Sequence, residues 1–589
     1  MSQQLNEFQL LVLQYFTLSG KDLVVEAPTG VGKTYTAMMI SKEVKGRVIY
    51  AVPLKALAYQ IVGDFPRKFN GFSSVIPLLS EVYEDDPEEL EEKVVVTTYE
   101  KADSVTRRNY AWLDEVKLLV IDEIHNVTDP EREKAIENLV VWAKDSGVRI
   151  MTMSATVPFV KTLVDWLNAE HVKYDKRPVP LYKYVMLGNR LCDDKECFEV
   201  KDDLLKKLVK KGKVVMVFAS TKKRAEALYY RLRGIYGDKV VYIHAGLDAD
   251  TRRKILDEVY NGRYNVVVAT TVIGQGVNLP FHTVIFDDVR LPVVEQGRFV
   301  RWREMSYMEF EQVCGRAGRP GFDKEGMCIV LAENERDLRH YINKFVRGEV
   351  DELRPSHNIY DLIIAVMTRH LWSTLDHIYE DVRRSLTFRD YPFERLKSDV
   401  DYLVQWKVLG YDGSGYYITK NGQAVGYSYL DIESAVHYLR GIENGADLKE
   451  LILTSPKVRD ASKGEDPKWV IEAWTNGVDE KTILKHTQKL TITDLNRLVS
   501  TVSWQAFGLY RVLRALDYKE DAKKVLLFHL TVRYGVPVGA LSLVQLPGIG
   551  RKRAMELYSE GIHSKEELCK RKDISKKVLG EKMVSVLCR

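Results

Sequence analysis

The apolar positions of this 589-residue chain follow two different patterns. In the first half they gather in short Val/Ile-rich runs with little polar alternation: Leu23–Glu26, Val48–Val52, Val94–Thr98, Leu118–Ile121 and Ile150–Met153. Such runs are what strands look like when both faces of a sheet are covered. Amphipathic stretches such as Tyr35–Lys45 lie between them. A second series follows, at Val214–Phe218, Val240–Ile243, Val266–Ala269, Val284–Phe286 and Cys328–Leu331. Strands alternating with helices predict two consecutive α/β units with parallel sheets. The paired prolines of Arg177-Pro178-Val179-Pro180 interrupt helix and strand alike, so a hinge is expected there.

After about residue 350 the helical period takes over. Two helices, a third over Phe393–Val408 and a hairpin at Gly410–Tyr417 suggest a winged helix. Residues 430–535 read as helices throughout. The chain closes with Leu546-Pro547-Gly548-Ile549-Gly550 and then Arg551-Lys552-Arg553-Ala554. There is no strict internal repeat and no low-complexity tract.

Composition changes this picture only locally. The apolar fraction of 45% is ordinary and permits large cores. A net charge of +4 says nothing about partners, but residues 541–589 carry 11 Lys/Arg against 6 Asp/Glu, which leaves the remainder near neutral. This basic end is either a phosphate-binding surface or a solvated lysine-rich tail. The six cysteines, at 192, 197, 314, 328, 569 and 588, lack zinc-site spacing. All six are expected as reduced thiols in a cytoplasmic protein. No basic-then-apolar leader pattern and no apolar run near the ~20 residues of a membrane span are visible, so no membrane partner is expected.

The chemistry lies in three motifs. Ala27–Thr34 reads APTGVGKT after an expected strand and before an expected helix. Gly30 and Gly32 let the backbone turn its N–H groups toward phosphate oxygens, Lys33 reaches the β/γ-phosphates, and the Thr34 hydroxyl serves Mg²⁺. Asp122 and Glu123 end an apolar strand. Past a strand end both carboxylates can face one site, Asp122 toward the metal and Glu123 toward the attacking water. A solvated acidic loop is the plainer alternative. Gln312–Arg319 reads QVCGRAGR and offers Arg316 and Arg319 from the second α/β unit, where one arginine at the γ-phosphate is worth roughly 10³–10⁵ in rate. Simple helix-capping arginines are the alternative.

These residues, with others in order, resemble superfamily 2 helicases of the Ski-two-like group, most closely the archaeal HelQ/Hjm type. Gln9 sits where an adenine-reading glutamine is expected. Val52–Ala58 looks like motif Ia, Thr98–Ser104 like motif Ib, Ser154-Ala155-Thr156 like motif III and Arg177–Leu181 like the group's linker. His244–Leu247 and Ala269–Thr271 through Gly276–Pro280 look like motifs IVa and V. The resemblance implies a catalytic set of Lys33, Asp122, Glu123, Gln312, Arg316 and Arg319. It implies an ATP-binding set of Gln9, Thr29, Gly30, Gly32, Lys33, Thr34 and Gly276, with Thr34 and Asp122 on Mg²⁺.

It also implies an α/β protein of two RecA-like domains (1–184 and 185–348), a winged helix (349–428), a helical ratchet domain (429–540) and a helix–hairpin–helix (541–589). Two departures stand out: the chain is short for the group, and Val293–Trp302, where the group has a strand-separating β-hairpin, does not align residue by residue. In the group a ratchet helix carries an arginine and a tryptophan seven residues apart, the spacing of Arg497 and Trp504. Seven residues are about two turns, so both share a face. A core tryptophan is an equal reading of Trp504 alone. The Pro-Gly-Ile-Gly turn with Arg551 and Arg553 resembles a helix–hairpin–helix that binds DNA backbone. A simple helix-capping turn is the alternative.

The expected activity is ATP-driven 3′→5′ movement on single-stranded or forked DNA in replication-linked repair, by a monomer that meets replication or repair proteins. The alternatives are an RNA helicase and an ATP-switched remodelling factor that separates no strands. A nuclease is disfavoured, since no further acidic metal cluster is evident, and an iron–sulfur helicase by the scattered cysteines.

Overall fold

The structure is a computed structural model that describes residues 5–28, 30–69, 71–79, 88–108, 110–129, 132–155, 157, 159–177, 179–200, 203–244, 249–270, 281–295, 298–318, 323–348, 357–487 and 489–588. The chain divides into two compact units. The first comprises residues 1–293, 300–357 and 384–389, and the second comprises residues 294–299, 358–383 and 390–589.

The first unit holds two sheets. Strands β1 (Leu23–Glu26), β2 (Arg47–Val52), β3 (Val75–Leu78), β4 (Val94–Thr98), β5 (Val116–Asp122), β6 (Arg149–Ser154) and β7 (Glu170–Lys173) form one parallel sheet in the order β3-β4-β2-β5-β6-β1-β7. Its central strands are buried over almost their whole length, with only Lys117 of β5 exposed, because helices cover both faces. Val24, Ile49, Val95, Leu119 and Ile150 pack into one core, and Val25, Val48, Val96, Leu118 and Met151 into the other. Because both faces are covered, the strands carry few polar residues, and Thr97 and Thr152 among them are buried.

The second sheet has eight strands. Its parallel part runs β8 (Leu181–Leu187), β17 (Gly326–Leu331), β14 (Thr283–Phe286), β11 (Val215–Phe218), β13 (Val266–Ala269) and β12 (Val240–Ile243). Antiparallel β9 (Arg190–Cys192) and β10 (Cys197–Glu199) extend its β8 edge. Strands β15 (Arg290–Glu295) and β16 (Arg298–Glu304) pair separately, in the stretch the sequence left unaligned.

All ten expected strands are present, but β3 and β7–β10 are additions. β3 and β7 are four-residue edge strands, β9 and β10 have three residues each, and the longer β8 mixes polar with apolar residues, so the search for unbroken apolar runs passes over all of them. The thiol expectation is corrected. Cys192–Cys197 and Cys569–Cys588 are disulfides, and only Cys314 and Cys328 are free. Cys192 and Cys197 face each other across the β9/β10 pair, a hairpin the sequence reading had not recognised.

The second unit is helical around a small sheet. Helices Ile359–His370, Leu375–Arg383 and Phe393–Gln405 precede strands β19 (Leu409–Tyr411) and β20 (Tyr416–Ile418), which pair with β18 (Trp372–Ser373) in the order β18-β20-β19. The 24-residue helix Ile492–Ala515 is its longest element among the described residues. Tyr438 donates to Gln505 at 2.6 Å and Arg511 to the Tyr427 carbonyl at 2.5 Å, which ties this helix to its neighbours. Gly508 exists because Leu430 leaves no room: a Cβ there would lie 2.3 Å from a leucine methyl. Helices Arg551–Ser559, Lys565–Lys570, Lys572–Leu579 and Glu581–Leu587 close the chain around their own core of Leu543, Leu557, Ile562, Leu568 and Val584. No single helix among the described residues is long and apolar enough to cross a membrane.

Candidate active site

The site is built at the C-terminal ends of β1 and β5. Strand β1 delivers a loop in which Gly30 and Gly32 have φ of 88° and 100°, a left-handed conformation that costs other residues a steric penalty. The loop opens directly into helix Lys33–Glu43, with Gly32 as its N-cap and no side-chain cap. Its first N–H groups therefore remain available to an anion. Lys33 is buried, and its ammonium donates to the carbonyls of Ala27 and Pro28 at 2.5 and 3.0 Å. Burial lowers its pKa, while Glu123 and Asp122 oppose the shift.

Gln9 lies over the same loop. Its amide oxygen accepts the Asn6 N–H at 2.9 Å in a reciprocal capping box, and a Cβ on Gly32 would fall 3.0 Å from its amide nitrogen. Asn6 in turn donates to the Val31 carbonyl at 3.1 Å. The first helix is thus fastened to the phosphate loop through its cap, an anchoring role for Asn6 that the sequence reading missed.

Asp122 ends β5, buried, with one carboxylate oxygen accepting the Glu123 N–H at 3.0 Å. The Tyr50 hydroxyl lies 3.5 Å from the other. Glu123 then adopts a left-handed backbone, φ 52° and ψ 52°, uncommon for a non-glycine residue and frequent at functional turns. That turn lets both carboxylates serve one region despite their adjacency. Burial first, then the Glu123 charge, pushes Asp122 above the usual carboxylate range. Burial also pushes Glu123 up, but the His125 ring and the Lys33 ammonium outweigh it and hold the carboxyl below its ordinary value. Two neighbouring carboxyls driven apart in this way suit two different roles.

His125 links the two sheets of the first unit. Its Nδ1 meets the Ser154 hydroxyl at 2.9 Å and lies 3.3 Å from Glu123 Oε2, while its Nε2 meets the Gln312 amide nitrogen at 2.7 Å. Gln312 thus reaches the β5 end from the second sheet, and Ser154 brings the β6 end to the same histidine. With Gln312 donating, His125 Nε2 is the acceptor and Nδ1 carries the proton.

Arg316 lies in the turn after helix Tyr307–Cys314. Arg177 grips that turn. One terminal nitrogen of its guanidinium donates to the carbonyls of Gly315 at 2.8 Å and Ala317 at 3.1 Å, the two residues flanking Arg316. Gly318 follows with φ 87°, and a Cβ there would strike Val179 at 2.8 Å. The linker therefore holds the arginine-bearing turn. Only its contact partner, unknown from sequence, reveals this. Thr29, Gly276 and Arg319 lie outside the described residues.

Of the expected nucleic-acid residues, Arg497 is exposed and Trp504 half-buried on helix Ile492–Ala515, with the Trp504 ring edge-on to Tyr429 at 6.2 Å. Arg553 is exposed and donates to the Gly548 carbonyl at 3.0 Å. Arg551 is corrected. Its guanidinium stacks 3.8 Å over the Trp474 ring and donates to the carbonyls of Gly535, Trp474 and Val478 at 2.8, 3.0 and 2.8 Å. These contacts tie helix Arg551–Ser559 to the bundle and commit its guanidinium to partners within the protein. A cleft absent from the sequence reading is lined by Thr221, Lys223, Arg224, Asp287 and the exposed Trp302.

Comparison with known proteins agrees with this geometry. Residues 6–163 match the family model described as DEAD/DEAH box helicase, and residues 200–321 match the helicase conserved C-terminal domain. The chain is 48% identical to a putative helicase 7 of a Sulfolobus islandicus filamentous virus, over the full length of both. It is 28% identical to the ATP-dependent DNA helicase Hel308 of Pyrobaculum calidifontis, covering 94% of this chain and 90% of that one. It is also 28% identical to the Hel308 of Aeropyrum pernix, covering 96% and 88%. The chain belongs to the Hel308-like, Ski-two-like superfamily 2 helicases. This helicase hydrolyses ATP, and its two sheets are the tandem RecA-like domains of that family.

Proposed function

We propose that this helicase is a DNA motor that moves 3′→5′ along single strands and opens forked DNA in replication-linked repair, as a cytoplasmic monomer meeting replication or repair proteins. DNA is favoured over RNA because the relatives called Hel308 are described as ATP-dependent DNA helicases. The observation that carries the reading is the joining of Gln312 to His125. A residue of the second RecA-like domain hydrogen-bonds the carboxylate-bearing turn of the first, so an event at one domain is felt by the other.

In this reading Lys33 and the free N–H groups of Gly32-capped helix Lys33–Glu43 hold the triphosphate, and Gln9 reads the adenine. Thr34 and Asp122 are the Mg²⁺ ligands. A hydroxyl and a carboxylate are hard oxygen donors, which fits that cation. Bound Mg²⁺ supplies charge neutralisation at the β/γ-phosphates. Glu123, held ionised, accepts the proton of the attacking water. Arg316, its turn held by Arg177, and Arg319 answer the charge that develops on the transferred phosphoryl group.

The domain plan proposed for the chain is 1–184 and 185–348 for the RecA-like pair, then 349–428 winged helix, 429–540 ratchet and 541–589 helix–hairpin–helix. Trp504 stacks on a base, an interaction worth roughly 1–3 kcal/mol. Melting one base-pair step costs about 1.4 kcal/mol, so a single stack can hold one opened step. Arg497 and Arg553 contact phosphates, as does Lys223 in the cleft beneath Trp302. Hairpin β15/β16 separates the strands.

The experiment is ATP turnover with single-stranded DNA, single-stranded RNA and neither, at one stated salt concentration. Strong stimulation by DNA and weak stimulation by RNA is expected. Equal or greater stimulation by RNA would transfer the reading to an RNA helicase. Stimulation by DNA without strand displacement would make the protein an ATP-switched remodelling factor.

A further inference from the structure

A cluster of three side chains in the second unit takes no part in the chemistry above. His370 ends helix Ile359–His370, while His377 and Asp381 stand four residues apart on helix Leu375–Arg383. That spacing places the latter two on one face, one turn apart. The two-residue strand Trp372–Ser373 turns the chain so that the first helix end meets this face. Asp381 is fully buried, and its Oδ2 lies 3.0 Å from His370 Nε2. The imidazole centroids of His370 and His377 are 5.0 Å apart. One ligand atom from each of the three residues lies within 4.8 Å of the others.

We propose that His370, His377 and Asp381 form a binding site for a divalent transition-metal ion, zinc in preference to magnesium or calcium. The donor set decides the class. Two imidazole nitrogens and one carboxylate oxygen suit zinc and its neighbours, whereas magnesium and calcium seek oxygen alone. The ring of His377 is already oriented: its Nδ1 meets the Ser373 hydroxyl at 3.2 Å, which leaves Nε2 as the ligand atom. Ligating histidines are commonly held through their second nitrogen in this way.

An ion at His370, His377 and Asp381 bridges two helices joined by only a few residues. It therefore stabilises the folded state of this module without touching the ATP site.

The test uses untagged full-length protein, stripped with chelator and kept in excess Mg²⁺, with Co²⁺ as a spectroscopic probe. One Co²⁺ per chain with visible tetrahedral ligand-field bands is expected, bleached by one equivalent of Zn²⁺. Zn²⁺ should also raise the unfolding temperature by a few degrees. His377→Ala should weaken binding by about 100-fold or more, since outer-shell losses alone cost roughly 10–100-fold. Ser373→Ala, which removes only the orienting hydroxyl, should weaken it by about tenfold. ATP turnover should persist in both. If His377→Ala fails to fold, His377→Gln, which keeps the side-chain bulk, carries the same expectation. Absence of Co²⁺ bands and of any Zn²⁺ effect on unfolding would overturn the site and leave a hydrogen-bonded His–Asp pair. Unchanged Co²⁺ affinity in a folded His377 variant would overturn it equally.

Discussion

The phosphate loop of the first RecA-like domain and the Pro-Gly-Ile-Gly turn near the end of the chain have the same outline. Each has a left-handed glycine, Gly32 or Gly548, and each leads to a helix opened by a basic residue, Lys33 or Arg551. They differ in where that basic side chain goes. Lys33 lies under its loop, on carbonyls of the loop itself, beside the Asp122/Glu123 pair. Arg551 turns away from its loop into the bundle, over Trp474 and onto three distant carbonyls. A glycine turn with a cation is therefore half of a phosphate site. The other half is what the cation is held by, and that is a tertiary fact.

The comparison can be broken most sharply at Lys33. Lys33→Ala should reduce ATP turnover by on the order of 10³-fold, the cost of removing a charge aimed at the reacting phosphates, with the unfolding temperature little changed. Steady-state ATPase and thermal unfolding measure both; near-normal turnover would falsify the assignment of this loop.

Arg551→Ala should do the reverse. Loss of a stacked guanidinium and the exposure of three carbonyls should destabilise the second unit by about 2–4 kcal/mol. The salt dependence of DNA affinity should stay as it is. Urea unfolding and a salt titration of binding separate the outcomes. A flatter salt slope with unchanged stability would return Arg551 to the DNA surface.

Arg177→Ala tests whether the linker clamp matters to the arginine-bearing turn. Turnover should fall by about tenfold with a smaller change in the KM for ATP, because Arg177 holds the backbone around Arg316 through two carbonyls. Arg177→Lys should recover little, since a lysine lacks the planar fork that reaches two carbonyls. A raised KM with an intact maximal rate would count against the clamp.

The smallest effect is expected at the exposed side of the last module. Arg553→Ala should lower the slope of log affinity against log salt by about one unit, the signature of one lost phosphate contact. An unaltered slope would leave the basic end as solvated surface.

The sequence was most legible where a residue's partner is its own backbone. Gly30 and Gly32 announce the tight turn after β1 because its left-handed backbone is a local requirement. The central strands announce themselves because burial on both faces leaves them mostly apolar, without polar alternation. Asp122 and Glu123 were legible as a pair, but the left-handed turn at Glu123 that brings them to one site was not. Arg177, Asn6 and Arg551 were illegible in role because each acts on carbonyls far along the chain. Cys192 and Cys197 were misjudged for the same reason: their pairing needs the β9/β10 hairpin, whose strands are only three residues each. Spacing alone left Trp504 open between stacking surface and core, and its half-buried position beside Tyr429 fits either reading.

The central claim is that ATP hydrolysis at the Lys33/Asp122/Glu123 site drives directional movement on a single DNA strand. The most direct measurement is strand displacement on duplexes that carry either a 3′ or a 5′ single-stranded tail, with wild-type protein and Lys33→Ala side by side. Displacement of the 3′-tailed duplex alone, dependent on ATP and lost in Lys33→Ala, is the predicted result. Equal displacement of both duplexes, or displacement that survives in Lys33→Ala, would contradict it.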